Sequence, residues 1–324
     1  MIILSEPTVA SYGTIGERYR DTFRAMGLDA VAAPYPSAPP DLPRDAVVLH
    51  NTLGFRFEPF RGVRNVAIPF HEWDRYPGAW ASRLNHFDEV WAATSYLAGV
   101  LRRSGVEVPI RVLPPALDVA PPDLKPTWVA RRPFRFLFVG EPHFRKGHHL
   151  LIEAYRRLGV SARRATLTLK TSADCGWHVS DPGIHRVATR WSRRRMQGAY
   201  ATFDAFISAS LGEGLGLGVA EAMLAGLPVA TNRWGGHTAL LVEGGYVRIA
   251  HRVVPQVFCS RPDFYAPGQR CAYSSPDAIA HAMDVLLAMS ARARAAQARL
   301  ASATIRDRFG LASCAPRLRA ALAA

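Results

Sequence analysis

Two glutamates flank a glycine-rich stretch in the second half of the chain, and their spacing suggests a ligand site. Glu213 and Glu221 have seven residues between them, three of which are glycine. Glycine lets backbone N–H groups approach a ligand closely. A helix is predicted to begin at about Leu217, and its N-terminus favours an anion such as a pyrophosphate. Glu221 lies about one turn into that helix, where its carboxylate could accept both hydroxyl protons of a ribose diol.

The residue types around Glu213 leave two interpretations open. In a ligand site, this carboxylate would accept hydrogen bonds from sugar hydroxyls or face a positive charge that develops during a reaction. Without a ligand, the same segment is a glycine-rich turn with a capping glutamate. The composition of the segment alone does not choose between the two.

The chain that must position these residues alternates apolar strands with helices. The first half has predicted strands at 1–4, 46–49, 63–68, 89–93 and 110–113, a loop at 11–16, and helices at 17–26 and 95–103. The second half has predicted strands at 134–139, 166–170, 205–208 and 228–231, and helices at 147–158, 217–225, 276–289 and after 291. This alternation predicts an α/β fold whose parallel sheets are covered on both faces.

A stretch rich in proline and polar residues divides the two halves. Residues 120–133 read APPDLKPTWVARRP, a composition that is typical of a linker between domains. The 324 residues are enough for two domains of ordinary size.

Composition argues against several classes of protein and leaves the role of the charge open. No apolar run reaches the roughly 18 residues of a membrane span. The four cysteines show neither C-x-x-C nor Cys/His spacing, so we expect neither a disulfide scaffold nor a zinc module. The net charge of +14 suits an anionic partner, but nearly all basic residues are arginine, a bias that a GC-rich genome also produces. No nucleic-acid-binding motif occurs, so we expect no nucleic-acid partner.

The segment around the two glutamates resembles family 4 of the retaining glycosyltransferases, which have the GT-B fold. The E-x7-E spacing is that family's signature, and the run AMLAGLPVAT at 222–231 is similar to its continuation. The Gly235-Gly236 pair falls where the family has its next glycine-containing loop. The resemblance implies that Glu213 is catalytic. It also implies that the donor is bound by Glu213, Gly214, Leu215, Gly216 and Glu221.

A second match lies at 136–147, which reads FLFVGEPHFRKG. It resembles the family's strand, loop and KG-helix, in which a basic pair binds the donor diphosphate. Lys146 matches the family's lysine, but Glu141 stands where an arginine is usual. Because a carboxylate repels a diphosphate, either Arg145 supplies the second positive charge or Glu141 points away. We expect Arg145 to supply it.

Segments of the first half extend the resemblance over most of the chain. HEWDRYPGAW at 71–80 is similar to one branch of the family, and VLPPALD at 112–118 is similar to the end of its first domain. The resemblance implies donor binding by Gly13 and Gly16 and a catalytic role for His71, and the predicted acceptor-binding residues are His50, Glu72 and Asp74. The structural alternatives are histidines that only pack in the core and carboxylates that only pair with Arg75.

The resemblance implies a GT-B enzyme with two doubly wound, Rossmann-like parallel-sheet domains that face a central cleft. Residues 1–127 would bind the acceptor, 128–310 would bind the donor, and 311–324 would form a helix that returns to the first domain. The implied reaction transfers a sugar, with retention, from a UDP- or GDP-hexose to an acceptor hydroxyl. No D-x-D occurs, so we expect no metal and no cofactor.

The expected partners are a nucleotide sugar and an acceptor, which is a glycan, a lipid-linked sugar or a small molecule. The cysteine usage and an N-terminus that resembles a strand rather than a signal peptide predict a cytoplasmic protein. The net charge is compatible with peripheral contact to an anionic membrane at its inner face. Two rivals stay open: an epimerase or phosphorylase of the same fold, and an inactive protein that binds sugar nucleotides.

Overall fold

The described residues divide into two units, each built around its own parallel sheet. The computed structural model describes residues 1–6, 10–36, 42–43, 45–129, 132–141, 143–172, 179–256 and 267–324. Unit 1 contains the described residues of 1–119, 267–269 and 306–324, and unit 2 contains those of 120–256 and 270–305. Residues 120–127, which the sequence analysis placed in the first domain, pack in unit 2. There the buried Lys125 donates a hydrogen bond to the Phe203 carbonyl.

Unit 1 is a six-stranded parallel sheet with strand order β2-β1-β3-β4-β5-β6. Its strands are β1 (Ile2–Ser5), β2 (Val31–Pro34), β3 (Val47–Asn51), β4 (Arg64–Ala67), β5 (Glu89–Ala92) and β6 (Ile110–Val112). The helices between them are α1 (Ala10–Ala25), α2 (Gly78–Leu84) and α3 (Ser95–Arg103). The four inner strands, β1, β3, β4 and β5, bury apolar side chains such as Leu49, Val66 and Val90, whereas the edge strands β2 and β6 are half-buried or exposed.

Unit 2 is a second six-stranded parallel sheet, with order β12-β11-β10-β7-β8-β9, and an antiparallel pair β13-β14. Its strands are β7 (Phe134–Val139), β8 (Ala165–Thr171), β9 (Ile184–Ala188), β10 (Ala205–Ser208), β11 (Val229–Thr231), β12 (Val247–Arg248), β13 (Arg252–Pro255) and β14 (Arg270–Tyr273). The later helices are α4 (His148–Leu158), α5 (Arg193–Tyr200), α6 (Leu217–Leu224), α7 (Pro276–Ala288), α8 (Ala291–Phe309) and α9 (Leu311–Ala323). The prediction of an α/β protein with two parallel sheets is confirmed.

The last helix belongs to unit 1. In α9, Leu318 and Ala321 are buried, and the carbonyl of Ala321 accepts a 2.8 Å hydrogen bond from Arg64 at the start of β4. Arg319 donates to the carbonyl of Met26, just after α1. Unit 1 therefore combines the N-terminal part of the sequence with residues 306–324.

The prediction of a loop at 11–16 is wrong, because α1 already begins at Ala10. Both Gly13 and Gly16 lie inside this helix. A Cβ atom at Gly16 would lie 1.8 Å from the Ser5 hydroxyl oxygen, so glycine here permits close packing of α1 against β1. Gly16 is therefore explained by the packing of a helix on a strand and not by a turn.

Candidate active site

The predicted donor loops lie at one edge of the unit 2 sheet. Strand β10 pairs in parallel with β7, with Ala205 opposite Phe136. The loop after each strand therefore leaves the sheet at the same, carboxyl edge, where ligands bind in open parallel sheets. This pairing brings 143–147 and 209–216 together, and Leu211 N–H donates to the Arg145 carbonyl at 2.8 Å.

The basic pair sits on a short 3-10 helix, Phe144–Lys146, that ends at Gly147. Gly147 has a φ of +70°, which favours glycine, and a Cβ atom there would lie 2.0 Å from the Ala209 carbonyl oxygen. Close contact between the two loops thus requires glycine at this position. It fixes the backbone from which Arg145 and Lys146 extend.

A second glycine pair supports the loop that carries Glu213. Gly236 N–H donates to the Glu213 carbonyl at 2.6 Å, and a Cβ atom at Gly236 would lie 1.8 Å from the Gly214 carbonyl oxygen. Gly216 precedes α6 with a φ of +84°. The conformation of the Glu213 loop therefore depends on Gly236 as well as on Gly214 and Gly216.

Both basic side chains lie beside Glu213. Lys146 Nζ donates to Glu213 Oε1 at 2.6 Å, and Arg145 Nη1 lies 3.8 Å from Oε2 while donating to the Gly212 carbonyl at 2.7 Å. The Glu213 side chain is 11% exposed. Burial raises the pKa of Glu213, but the nearby cations of Lys146 and Arg145 outweigh burial and lower that pKa to about 2. Two cations and one carboxylate leave a net positive charge that suits an anion.

His237 lies beneath this loop and was not predicted from the sequence. It is fully buried, and a Cβ atom at Gly216 would lie 2.6 Å from the His237 Cβ. Its Nε2 lies 2.8 Å from the Asn232 carbonyl, which can only accept, so Nε2 carries the proton. Burial lowers the pKa of His237, although Glu213 opposes this. The only sequence signal was its position directly after the Gly235-Gly236 pair.

Glu221 is held by a tyrosine that the sequence analysis also missed. Tyr200 Oη donates to Glu221 Oε2 at 2.9 Å. Tyr200 is fully buried at the end of α5, whereas Glu221 is half-buried on α6. The hydrogen bond fixes the orientation of the Glu221 carboxylate.

Glu141, which replaces the usual arginine, bonds away from the basic pair. The Ser172 hydroxyl donates to Glu141 Oε2. Burial lowers the pKa of the neighbouring Lys170, and Glu141 partly opposes this effect. Arg145 and Lys146 both lie next to Glu213, so the geometry is compatible with the expectation that Arg145 supplies the second charge.

His50 is a core residue of unit 1. Its side chain is fully buried, and its Nε2 lies 2.9 Å from Asn65 Oδ1. The rings of Phe60 and Phe87 each lie 5.0 Å from its ring. Burial lowers the pKa of His50 to about 4, although the hydrogen bond with Asn65 opposes this. An acceptor could reach His50 only if these side chains moved.

His71 is also buried, and Glu72 and Asp74 are half-buried. Gln269 Nε2 donates to His71 Nε2 at 3.0 Å and to the Arg75 carbonyl at 2.7 Å. Asp74 and Arg75 line a cavity of about 670 Å³ in unit 1. The catalytic role of His71 and the acceptor roles of the two carboxylates stay predictions.

The part of the chain that the structure describes contains no helix with the length and apolarity to cross a bilayer.

Comparisons with known proteins agree with this architecture. Residues 133–260 match the family model of glycosyl transferases group 1. Anabaena HepE in complex with UDP-glucose has a TM-score of 0.72 at 14% identity, covering 99% of this chain and 98% of that one. Sucrose-phosphate synthase from Thermosynechococcus elongatus has a TM-score of 0.72 at 13% identity, covering 99% and 97%.

A third similar structure is longer than this chain. A variant of S. aureus TarM, in complex with Fondaparinux, alpha-GlcNAc-glycerol and UDP, has a TM-score of 0.64 at 12% identity. The match covers 87% of this chain but only 56% of TarM. No curated protein sequence matches the chain. The chain therefore has the GT-B fold, and residues 133–260 carry the sequence pattern of glycosyl transferases group 1.

Proposed function

We propose that the protein transfers a sugar from a nucleoside diphosphate donor to an acceptor hydroxyl. The observation that carries this proposal is the cluster of Arg145, Lys146 and Glu213 at the carboxyl edge of β7 and β10. It lies inside the segment that matches the glycosyltransferase family model. The Anabaena structure with the same fold holds UDP-glucose, which supports a UDP-sugar as the first donor to test.

The donor diphosphate would bind between the basic pair and the N-terminus of α6. Arg145 and Lys146 offer charged N–H donors, and the backbone after Gly216 offers the positive end of a helix dipole. These groups would stabilise the negative charge that grows on the leaving diphosphate. We therefore propose transfer without a metal ion, since side chains and backbone supply the charge that a cation would provide.

The two glutamates would hold the donor at its two ends. Glu221, oriented by Tyr200, would accept hydrogen bonds from the ribose hydroxyls. Glu213 would orient the sugar and stabilise an oxocarbenium-like transition state. The bond from the anomeric carbon to the diphosphate oxygen breaks, and a bond to the acceptor oxygen forms on the same face. Because the new bond forms on the face that the diphosphate leaves, the anomeric configuration is retained. The acceptor's proton passes to the departing phosphate.

Unit 1 would bind the acceptor, which is a glycan, a lipid-linked sugar or a small molecule. The proposal assigns acceptor binding to His50, Glu72 and Asp74, a catalytic role to His71, and contact with the donor to Gly13 and Gly16. It also includes a cytoplasmic location, with peripheral membrane contact supported only by the net charge of +14.

The proposal is tested by a thermal-shift screen against UDP, GDP, UDP-glucose and a GDP-hexose. A ligand at 100 times its dissociation constant adds about 2.7 kcal/mol to the free energy of unfolding. We expect stabilisation by one nucleotide class in the wild type and its loss in Lys146→Met. Stabilisation by none of the four contradicts donor binding. An epimerase would convert the donor without an acceptor, and product analysis of such a mixture separates it from a transferase.

A further inference from the structure

A short turn at the carboxyl end of β3 presents an aromatic ring and a cation to solvent. After Asn51, the chain continues into a 3-10 helix, Gly54–Arg56. Phe55 is 37% exposed, and the Arg56 side chain is 42% exposed. The Arg56 guanidinium lies 5.8 Å from the centre of the Phe55 ring. We call these two residues the Phe55–Arg56 platform.

The turn beneath the platform is held in place from two sides. Gly54 packs on the Trp80 ring so closely that a Cβ atom at Gly54 would lie 2.0 Å from Trp80 Cε3. On the other side, Tyr35 Oη donates to the Arg56 carbonyl. The backbone of the platform is therefore fixed before any ligand binds, which reduces the entropy that binding would remove.

A buried carboxylate fixes the Arg56 guanidinium as well. Glu6 is fully buried next to β1, and Arg56 Nη1 donates to both of its oxygens at 3.0 Å. Thr52 Oγ1 also donates to Glu6 Oε2 at 3.0 Å. Among the residues that the structure describes, no hydrogen bond or ion pair uses Nη2 or Nε of Arg56. One nitrogen anchors the guanidinium, and the remaining N–H groups are available to a ligand.

The same unit contains a second pair of this kind in a different place. Arg111, whose side chain is also 42% exposed, lies 2.9 Å from Oε2 of the buried Glu89, and Oε1 of Glu89 accepts from Arg64. Glu89 is the first residue of β5, so this pair lies toward the amino ends of the strands. Arg56 instead follows the carboxyl end of β3, which is the edge of a parallel sheet that binds ligands. Of these two arginines, only Arg56 has an exposed aromatic ring beside it.

We propose that the Phe55–Arg56 platform binds the acceptor and that the acceptor is a sugar carrying a carboxylate or a phosphate. A guanidinium binds either anion through two parallel N–H donors, which a neutral sugar cannot match. An aromatic ring offers an apolar surface to the C–H face of a sugar. This inference rests on the proposed function, because it names the acceptor class of that reaction.

The test is an NMR titration of the 324-residue protein with glucose 6-phosphate, glucuronate and glucose. We expect both anionic sugars to bind at least about tenfold more tightly than glucose. Arg56→Gln removes this preference, whereas Arg111→Gln, the matched control with the same exposure and a buried glutamate partner, keeps it. The two anionic probes show separately whether a phosphate or a carboxylate is preferred.

Arg56→Gln leaves the Glu6 charge buried, so Glu6→Gln/Arg56→Gln is the second variant if the first does not fold. Equal binding of the three sugars by the wild type overturns the proposal, as does a preference that survives in the folded Arg56 variant. Binding of UDP-glucose is measured on the same samples. Loss of the sugar preference with intact UDP-glucose binding concerns the acceptor, whereas absent UDP-glucose binding in the wild type contradicts the donor proposal.

Discussion

Lys146 and Glu213 form a partly buried ion pair in which Nζ lies 2.6 Å from Oε1. Without a ligand, the carboxylate thus takes the place of an anion beside the basic pair. A donor diphosphate would compete with Glu213 for Lys146 and Arg145, and would turn the Glu213 carboxylate toward the sugar. If the proposed function is correct, donor binding and the positioning of Glu213 are coupled through Lys146 and Arg145.

Arg145 is expected to contribute to donor binding directly. Arg145→Gln should weaken the binding of UDP-glucose by about tenfold, because one charge-assisted contact with the diphosphate is lost. Isothermal titration measures this. The control is Arg157→Gln, which removes an arginine that pairs with Glu153 and Asp277 at the surface of the same unit. Equal affinities of the two variants would remove Arg145 from the donor site.

The Glu213 ion pair should make the free energy of unfolding decrease at low pH. The pKa of Glu213 is about 2 in the folded protein, against 4.5 ordinarily, so the unfolded chain takes up a proton first as the pH falls. The contribution to stability is complete above about pH 4.5 and decreases toward pH 2, by about 2 kcal/mol between pH 5 and pH 3. Urea unfolding at both pH values measures it. Glu213→Gln should show a smaller decrease than the wild type, and an identical one would contradict the ion pair.

His50 should destabilise unit 1 in mild acid. Its pKa is about 4 in the folded protein, against 6.5 ordinarily, so between these values the unfolded chain binds the proton and the folded chain does not. The free energy of unfolding should fall by about 2 kcal/mol between pH 7.5 and pH 5 because of this residue. His50→Gln should flatten the profile. His86→Gln, at an exposed position of the same unit, is the control and should leave it unchanged.

Tyr200 should act through Glu221. Tyr200→Phe removes one hydrogen bond, which is worth about 1 kcal/mol, so UDP should bind about fivefold more weakly. The preference for UDP over 2′-deoxy-UDP should also narrow, which a purely structural role would not produce. Tyr155→Phe is the control, because it also removes a buried tyrosine hydroxyl, but that hydroxyl donates to the Ala165 carbonyl. A preference that stays unchanged in Tyr200→Phe would exclude the positioning role.

Two glycines should respond to alanine in opposite ways. A Cβ atom at Gly13 meets nothing within 4 Å inside α1, so Gly13→Ala should raise stability by up to about 1 kcal/mol. Gly236→Ala should lower the melting temperature and abolish the UDP-glucose thermal shift, because its Cβ would lie 1.8 Å from the Gly214 carbonyl. Weaker UDP-glucose binding in a well-folded Gly13→Ala protein would instead support the predicted contact between Gly13 and the donor.

Local signals in the sequence predicted much of the fold. The apolar runs of β7 and β10 have the predicted bounds, and α3 and α7 begin at the predicted residues, after caps formed by the Thr94 and Ser275 hydroxyls. Helix α5 was missed because RRRMQGAY has few apolar residues and begins with three arginines. Glycines that serve packing were misinterpreted. Gly16 was predicted to lie in a loop, but it lies inside α1, where α1 packs against β1.

The site was predictable only in part, for a related reason. Motifs identified Lys146 and Glu213 separately, but these residues are 67 positions apart and meet because β7 and β10 are neighbours in the sheet. Tyr200 and His237 belong to no motif. Their positions follow from burial against α6 and the Glu213 loop, which only the folded chain establishes.

The placement of α9 in unit 1 affects how the protein is made. A domain at the start of a chain ordinarily folds first as it leaves the ribosome. Here Arg64 of unit 1 donates to the Ala321 carbonyl of α9, so the packing of unit 1 is complete only after α9 has been synthesised. The described residues of unit 2 have all been synthesised by position 305. Unit 2 can therefore complete its core before unit 1, although synthesis begins in unit 1.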